Sequence, residues 1–218
     1  MVFAVLSRLL LGIVLLSDIQ SVSNEEVDIS TLARIRVHLN LKYTYGGAVQ
    51  YAINVPKEQC RRGFIPSSFN FLTKDMSSDV RPYFQHDNKE VYQGTELTAT
   101  VVHRDAPYEH LLMNPPNKSP LTHLLNKRSD GCVIFYTYRF SPCVDGCLNS
   151  SVMLAGLQEL ENYQGMKAFV YTHTHKEDQN YHNLHNKLKK IAEHVPLYQC
   201  RGRSCTPCGN HVRSRCLR

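Results

Sequence analysis

The sequence predicts an α/β domain in which strands and helices alternate along the chain. Two near-continuous apolar runs, at residues 131–138 and 166–171, are typical of strands that are covered on both faces. The segments that follow them have apolar residues spaced three or four apart, which is the helical period. This alternation favours parallel connections through the middle of a sheet. We therefore expect three layers, α/β/α, around a mixed central sheet of about five strands.

The length and composition favour a single domain. The chain has 218 residues, of which 42% are hydrophobic and 20% charged, and this supports one sizeable core. The sequence contains no internal repeat and no low-complexity linker. No segment has the polar, aromatic-poor composition of a disordered chain. Repeat proteins and disordered proteins are therefore excluded.

The first half of the chain contains two predicted helices and two predicted strands. A helix is expected near residues 29–41 and an alternating strand at 50–55, followed by a long polar loop. The β-branched run 96–103 predicts the second strand. A helix that starts on proline is expected at 107–113, because proline suits the first helical position. The run 114–120 ends it.

The second half continues the alternation. After the strand at 131–138, an amphipathic helix is expected through Leu154, Leu157 and Leu160. The strand at 166–171 is followed by a helix at 181–193 and by a short last strand that reaches Cys200. The junction between each strand and the next helix is where active sites of such sheets usually open.

The N-terminus has the pattern of a secretory signal peptide. A short apolar run, 9–16, precedes small residues near Ser23, and it is too short to cross a bilayer. A buried N-terminal helix is the alternative, but the run is apolar all round rather than striped. We expect a signal peptide at 1–23, a domain at 24–199 and a Cys/Arg-rich tail at 200–218, in a secreted protein without a stable membrane anchor.

The cysteines agree with an oxidising compartment, where disulfides persist. Six of the eight cysteines are disulfide candidates, and an even number allows three bridges with open connectivity. They are Cys60, Cys132, Cys200, Cys205, Cys208 and Cys216. The last four, with His211, could instead form a zinc knuckle, although disulfides that pin the tail to the domain suit secretion better. Asn117 and Asn149 head glycosylation sequons.

The chain carries a net charge of +6, with several arginines near its end. Such a charge favours polyanionic partners, nucleic acid among them. A solvated basic tail is the simpler alternative.

The strongest motif is Ser141-Pro142-Cys143 with Cys147, directly after a predicted strand. Serine caps helices well and proline fits the first position, so a helix should begin here. Cys143 and Cys147 then lie four residues apart on one face. The helix N-terminus favours the thiolate form, which binds metal, so the pair is half of a tetrahedral zinc site. Ordinary disulfides are the alternative interpretation.

At these residues the sequence resembles a known family. Nucleobase deaminases have an H-x-E motif followed by P-C-x-x-C, with zinc held by His and two Cys. Here Glu109 precedes Pro142-Cys143 and Cys147 in a similar order of strands and helices. With the secretory leader, residues 95–197 look like the secreted branch of the AID/APOBEC-like deaminases, within the cytidine deaminase superfamily. The resemblance implies a cytidine-deaminase-like fold.

The resemblance also implies roles for these residues. Glu109 would be the general acid/base, and Cys143 and Cys147 would be ligands of Zn²⁺, which activates water for attack on the ring. Pro107 stands where the family has its His ligand, and proline offers no lone pair. His110 or His103 would then be the third ligand, or the protein would supply no third ligand.

Contacts with nucleic acid follow from the same resemblance. Phe140 precedes the Ser-Pro-Cys string and could stack on a flipped base. Tyr171, His173 and His175 lie at the end of the next strand, where this fold reads neighbouring nucleotides. A core phenylalanine and a polar surface loop are the structural alternatives.

Two functions remain open at this point. The first is a secreted zinc-dependent deaminase of cytosine in single-stranded nucleic acid or nucleosides, acting in defence. The second is a catalytically inactive protein of the same fold that binds nucleic acid or a microbial surface. Pro107 favours the second.

Overall fold

A computed structural model describes residues 25–43, 49–86, 90–101, 109–140, 151–174, 181–209 and 214–217. In these residues the helices are α1 Ile29–Tyr43, α2 Ser77–His86, α3 Glu109–Met113, α4 Pro120–Lys127, α5 Ser151–Asn162 and α6 Tyr181–His194. The strands are β1 Val49–Val55, β2 Val91–Gln93, β3 Leu97–Val101, β4 Cys132–Phe140, β5 Met166–Thr174, β6 Leu197–Arg201 and β7 Ser204–Pro207. Short 3-10 turns span Lys57–Cys60 and Ser214–Leu217.

The strands form one mixed sheet in the order β2-β3-β1-β4-β5-β6-β7. The neighbours β4, β5 and β6 are parallel, and the other pairings are antiparallel. The predicted α/β class, with parallel connections through the middle, is confirmed. The sheet has seven strands rather than about five, because β2 and β7 carry no local signal. Both are short edge strands that are only partly buried, so they lack an apolar pattern.

Helices cover the two faces of the sheet. On one face the core contains residues of α3, α4, α5 and α6, and on the other it contains residues of α1 and α2. Successive residues of β4 alternate between these cores: Val133 and Phe135 face the first, and Ile134 and Tyr136 face the second. Covering on both faces is the reason that β4 reads as one apolar run.

The central strand β1 differs from the expected half-buried, alternating strand. All seven of its residues are buried, because it lies between β3 and β4 and under helices on both sides. The amide groups of its Gln50 and Asn54 donate hydrogen bonds inside the protein. The Asn54 amide donates to the carbonyls of Leu124, at 3.0 Å, and Arg128, at 2.9 Å.

Two helices lie in segments that were expected to be loops. The helix α2 is largely exposed and contains Pro82, so its sequence lacks a clear apolar face. The helix α4 begins in the run that ends α3. The Ser119 hydroxyl accepts from the Thr122 amide at 3.0 Å, and Pro120 takes the first position, which is a capping box followed by a favoured residue.

Three disulfides confirm the six cysteines predicted to be bridged. Cys60 bonds to Cys132, Cys200 to Cys205, and Cys208 to Cys216. The four C-terminal cysteines are therefore bridged rather than arranged as a zinc knuckle. The expected tail also contributes to the sheet, since β7 pairs with β6. Cys143 and Cys147 lie outside the described residues.

Candidate active site at the carboxyl edge of the sheet

The carboxyl ends of the parallel strands define one edge of the sheet. Arg139 pairs with His173 and Phe140 with Thr174, so β4 and β5 end level with each other. In parallel sheets the chain leaves toward a helix at this edge, and ligands bind there. The strand β4 leads through residues 141–150 into α5. Residues 141–150, with Cys143 and Cys147, lie outside the described residues.

The chain that leads to Glu109 leaves β3 at the same edge. The strand β3 is antiparallel to β1, which is antiparallel to β4, so β3 and β4 run in the same direction. Val101, at the end of β3, pairs with the first residue of β1, and β1 begins at the carboxyl edge. Only residues 102–108, which include His103 and Pro107 and are outside the described residues, separate β3 from Glu109. His110 follows Glu109 in the backbone of α3.

The helices α3 and α5, one beginning at Glu109 and the other following the cysteine segment, pack against each other. Gly156 makes this approach possible. A Cβ at Gly156 would lie 2.5 Å from Sδ and 2.9 Å from Cβ of Met113, which is well inside van der Waals contact. Met113 itself is fully buried. This small residue therefore sets the spacing between the two halves of the candidate site, and no local pattern in the sequence marks it.

Buried polar side chains form a row under the carboxyl edge. The Gln50 amide donates to the Thr137 hydroxyl at 3.1 Å, and the hydroxyls of Tyr136 and Thr172 are 2.9 Å apart. All four side chains are buried, so each bond replaces a bond to water and its loss would be costly. In the sequence, the only local sign of this arrangement is Thr137, a polar residue near the carboxyl end of the largely apolar strand β4.

An aromatic pair lies beside this row. The rings of Tyr51 and Tyr136 stack with their centroids 4.6 Å apart. Complete burial raises the pKa of Tyr51 well above its ordinary value, so its phenol stays neutral. Stacked rings of this kind pack strongly and stiffen the sheet below the edge.

The residues predicted to contact nucleic acid lie in different surroundings. Phe140 is the last residue of β4 and His173 is exposed at the end of β5, whereas His175 is outside the described residues. Tyr171 lies in the core, and its hydroxyl donates to the Cys216 carbonyl at 2.6 Å. Tyr171 thus anchors the C-terminal turn, a role that only the tertiary structure reveals. Of the sequons, Asn117 is exposed, and Asn149 is outside the described residues.

Zinc binding at this edge depends on the residue types that its segments contain. Within the described ranges no three His, Cys, Asp or Glu side chains are grouped as a metal site, and these ranges do not include Cys143 and Cys147. Because β3 and β4 run in the same direction, the segment with the two cysteines and the segment that leads to Glu109 both start at this edge. The residue types of these segments, two cysteines and a histidine, are those that bind zinc in proteins.

The cavities found among the described residues lie elsewhere. One, of about 380 Å³, is lined by Glu25, Glu161, Lys167 and Glu193, and another, of about 450 Å³, also includes Glu25. Lys167 is the second residue of β5, so these cavities lie at the amino edge, opposite the candidate site. The candidate site is assigned to the carboxyl edge because the chain leaves β3 toward Glu109 and β4 toward Cys143 at that edge.

The fold and this arrangement agree with the family comparison. The sequence matches the family described as Secreted Novel AID/APOBEC-like Deaminase 1 over residues 30–218. The chain belongs to this family. The match confirms the resemblance inferred from residues 95–197 and extends it over most of the chain. No curated protein and no solved structure matches the sequence.

Membership also bears on where the protein acts. The family's name describes its members as secreted, and three disulfides fit an extracellular protein. In the described part of the chain, the helices are too short or too polar to cross a bilayer.

Proposed function

We propose that the protein is a secreted, zinc-dependent deaminase of cytosine in single-stranded nucleic acid or nucleosides, acting in defence. The observation that carries the proposal is topological. Because β3 and β4 run in the same direction, the segment that leads to Glu109 and the segment with Cys143 and Cys147 both start at one edge. The family match over residues 30–218 supports the deaminase class.

In this proposal each residue has a distinct role. Cys143 and Cys147 hold zinc as thiolates, and His110 is the third ligand because it follows Glu109 at the start of α3. When bound, zinc supplies Lewis-acid activation of water. Glu109 accepts the proton from that water and delivers protons to the ring nitrogen and the departing amine. The net reaction converts cytosine and water into uracil and ammonia.

The surrounding protein prepares this edge. The buried hydroxyls of Thr137, Tyr136 and Thr172 hold the carboxyl-terminal parts of β4 and β5 in place. A rigid sheet holds reacting groups to the small tolerances that catalysis needs. Phe140 at the end of β4 would stack on the target base, and His173 and His175 would contact the neighbouring phosphates.

Secretion and modification complete the proposal. Residues 1–23 are removed as a signal peptide, and Asn117 and Asn149 accept glycans. Secreted protein from eukaryotic cells would then begin near Asn24 and lose mass on enzymatic deglycosylation.

Zinc content is the first test. Wild-type protein purified from culture medium should hold about one zinc per chain, and Cys143→Ser should lose it. Mapping of Cys143 and Cys147 in a disulfide would contradict the metal site. His110→Ala should lower zinc affinity, whereas His103→Ala should not.

Catalysis is the second test. The wild type should convert cytosine to uracil in a single-stranded oligonucleotide, and Glu109→Ala should abolish product while zinc remains bound. Glu193→Ala is the matched control, because Glu193 is an exposed glutamate lining the amino-edge cavity. Zinc-free protein that binds oligonucleotide without turnover would instead favour an inactive binding protein, the alternative that Pro107 supports.

A further inference from the structure

Two parts of the chain contain basic residues and no acidic ones. The helix α1 contains no acidic residue, and neither does the stretch from Val195 to the end of the chain. Basic residues in these two parts are Arg34, Arg36, Lys42, Arg201, Arg203, Arg213, Arg215 and Arg218. Where no carboxylate compensates, such a surface keeps a positive potential.

The structure joins these two acid-free parts. The helix α1 packs against β7, and the Arg36 guanidinium donates to the carbonyl of Gly202 in the turn between β6 and β7. Gly202 has a φ of +57°, which glycine adopts without strain. The turn from Arg201 to Ser204, here named the arginine turn, is exposed along its whole length.

A disulfide holds the arginine turn in place. Cys200 and Cys205 are directly opposite each other in β6 and β7, and they are bonded. The bond closes the hairpin just below its two arginines, so the turn has little freedom to fold away. A surface that is fixed before binding loses less conformational entropy when a ligand arrives.

The arginine turn lies at the edge that carries the candidate site. The Arg201 side chain donates to the Thr172 carbonyl at 3.4 Å, and Thr172 is two residues before the end of β5. His173 is exposed next to it and pairs with Arg139 of β4. The positive turn therefore adjoins the end of β5, the strand that runs beside β4.

At the opposite edge, carboxylates outnumber the basic residues that line the cavity. Glu25, Glu26, Glu161 and Glu193 line the cavity there. Burial raises the pKa of Tyr198 to about 12, and the negative charge of Glu26 adds to this shift. Tyr198 is near the start of β6, and Arg201 is at its end. The two ends of β6 therefore differ in charge, and this difference favours the approach of a polyanion to the end that carries Arg201.

We propose that the arginine turn, supported by Arg36, binds the phosphate backbone of the single-stranded nucleic acid whose base enters the site. Arg201 and Arg203 contact successive phosphates, and Arg36 positions the turn. This inference rests on the proposed function for the identity of the polyanion. It adds a surface that would bind a polynucleotide but not a free nucleoside, because a nucleoside has no phosphate.

Binding to a fluorescent single-stranded DNA of about 15 nucleotides, and to RNA of the same sequence, tests the surface. The full-length secreted protein carries Glu109→Ala throughout, so that turnover does not interfere. For each phosphate contact on a single strand, the logarithm of the binding constant falls with the logarithm of salt by about 0.7. The variant R201Q/R203Q should therefore lower this slope by about 1.4 and bind less tightly at every salt concentration below about 200 mM.

Three variants act as controls. K118Q/K127Q removes the same charge from exposed lysines on the face covered by α4, and its slope should equal that of the parent. R201K/R203K keeps the charge and should retain most of the slope. R203Q alone changes only an exposed turn residue, and it should lower the slope by about 0.7 without changing the melting temperature.

The result that overturns the inference is equal slopes in R201Q/R203Q and its parent. Equal loss in K118Q/K127Q overturns it too, because net charge would then explain the effect. A loss confined to heparin, with oligonucleotide binding unchanged, shows that the turn recognises another polyanion and also overturns it.

Turnover by otherwise wild-type protein separates this inference from the proposed function. R201Q/R203Q should raise KM for the oligonucleotide and leave KM for cytidine unchanged. Absent turnover with a lowered slope would refute the deaminase and leave the surface intact. Normal turnover with equal KM values for the wild type and R201Q/R203Q would support the deaminase and refute the arginine turn as a binding surface.

Discussion

Gly156→Ala is the sharpest probe of the contact between α3 and α5. The new methyl group would lie 2.5 Å from Sδ, 2.6 Å from Cγ and 2.9 Å from Cβ of Met113. The sulfur can rotate away, but Cβ is fixed to the backbone of α3, so the two helices must separate. Overpacking of this kind costs about 1–3 kcal/mol.

A second effect acts in the opposite direction. Glycine inside a helix is about 1 kcal/mol less favourable than alanine, so the net loss of unfolding free energy should be about 0–2 kcal/mol. For a chain of this size, each kcal/mol lowers the melting temperature by roughly 2–4 °C. Ala155→Gly measures the propensity term on the same helix, because Ala155 is only partly buried.

A double-mutant cycle isolates the contact. Met113→Ala alone should cost about 2–5 kcal/mol, because the side chain is fully buried. In the double variant the close contacts of the added methyl group with Sδ and Cγ are gone and only the 2.9 Å contact with Cβ remains, so the combined loss should be smaller than the sum by about 0.5–2 kcal/mol. Urea denaturation under oxidising conditions gives all four values. Strict additivity, or a Gly156→Ala protein stabilised by the full propensity term, would show that the helices do not touch here.

Two further perturbations test other parts of the structure. Asp75→Ala removes a buried carboxylate that accepts from the backbone amides of Thr95, Glu96 and Leu97, and it should cost at least about 3 kcal/mol in urea denaturation; a loss below about 1 kcal/mol would contradict this role. Burial, and then the charge of Lys42, lower the pKa of His38 below its ordinary 6.5. The unfolded chain therefore binds a proton more readily, and stability should fall as pH drops from about 6.5 through the folded pKa. The urea midpoint of H38Q should change less between about pH 7.5 and pH 5 than that of the wild type, and identical changes would refute the assignment.

Local sequence predicted the strands and helices that bury many of their residues. The strand β4 reads as apolar throughout because its alternate residues enter two different cores. The strand β2, the strand β7 and the helix α2 were missed because each is short or largely exposed. An element that buries few residues leaves little apolar pattern to read.

In the candidate site, too, local sequence predicted some residues and missed others. Cys143 and Cys147 were predicted from spacing and residue chemistry, and Glu109 from the family resemblance. The role of Gly156 and the burial of Tyr171 were not, because each depends on a contact with a residue far away along the chain. No local pattern encodes such a contact.

By itself the sequence determined the α/β class, the family resemblance, the six bridged cysteines and the residue types available for catalysis. These follow from composition and local spacing, which act over a few residues. The tertiary structure decided which cysteines pair, which edge gathers the motif segments and where the positive charge lies. Those properties depend on the direction in which each strand enters the sheet, and that direction is fixed only when distant segments pair.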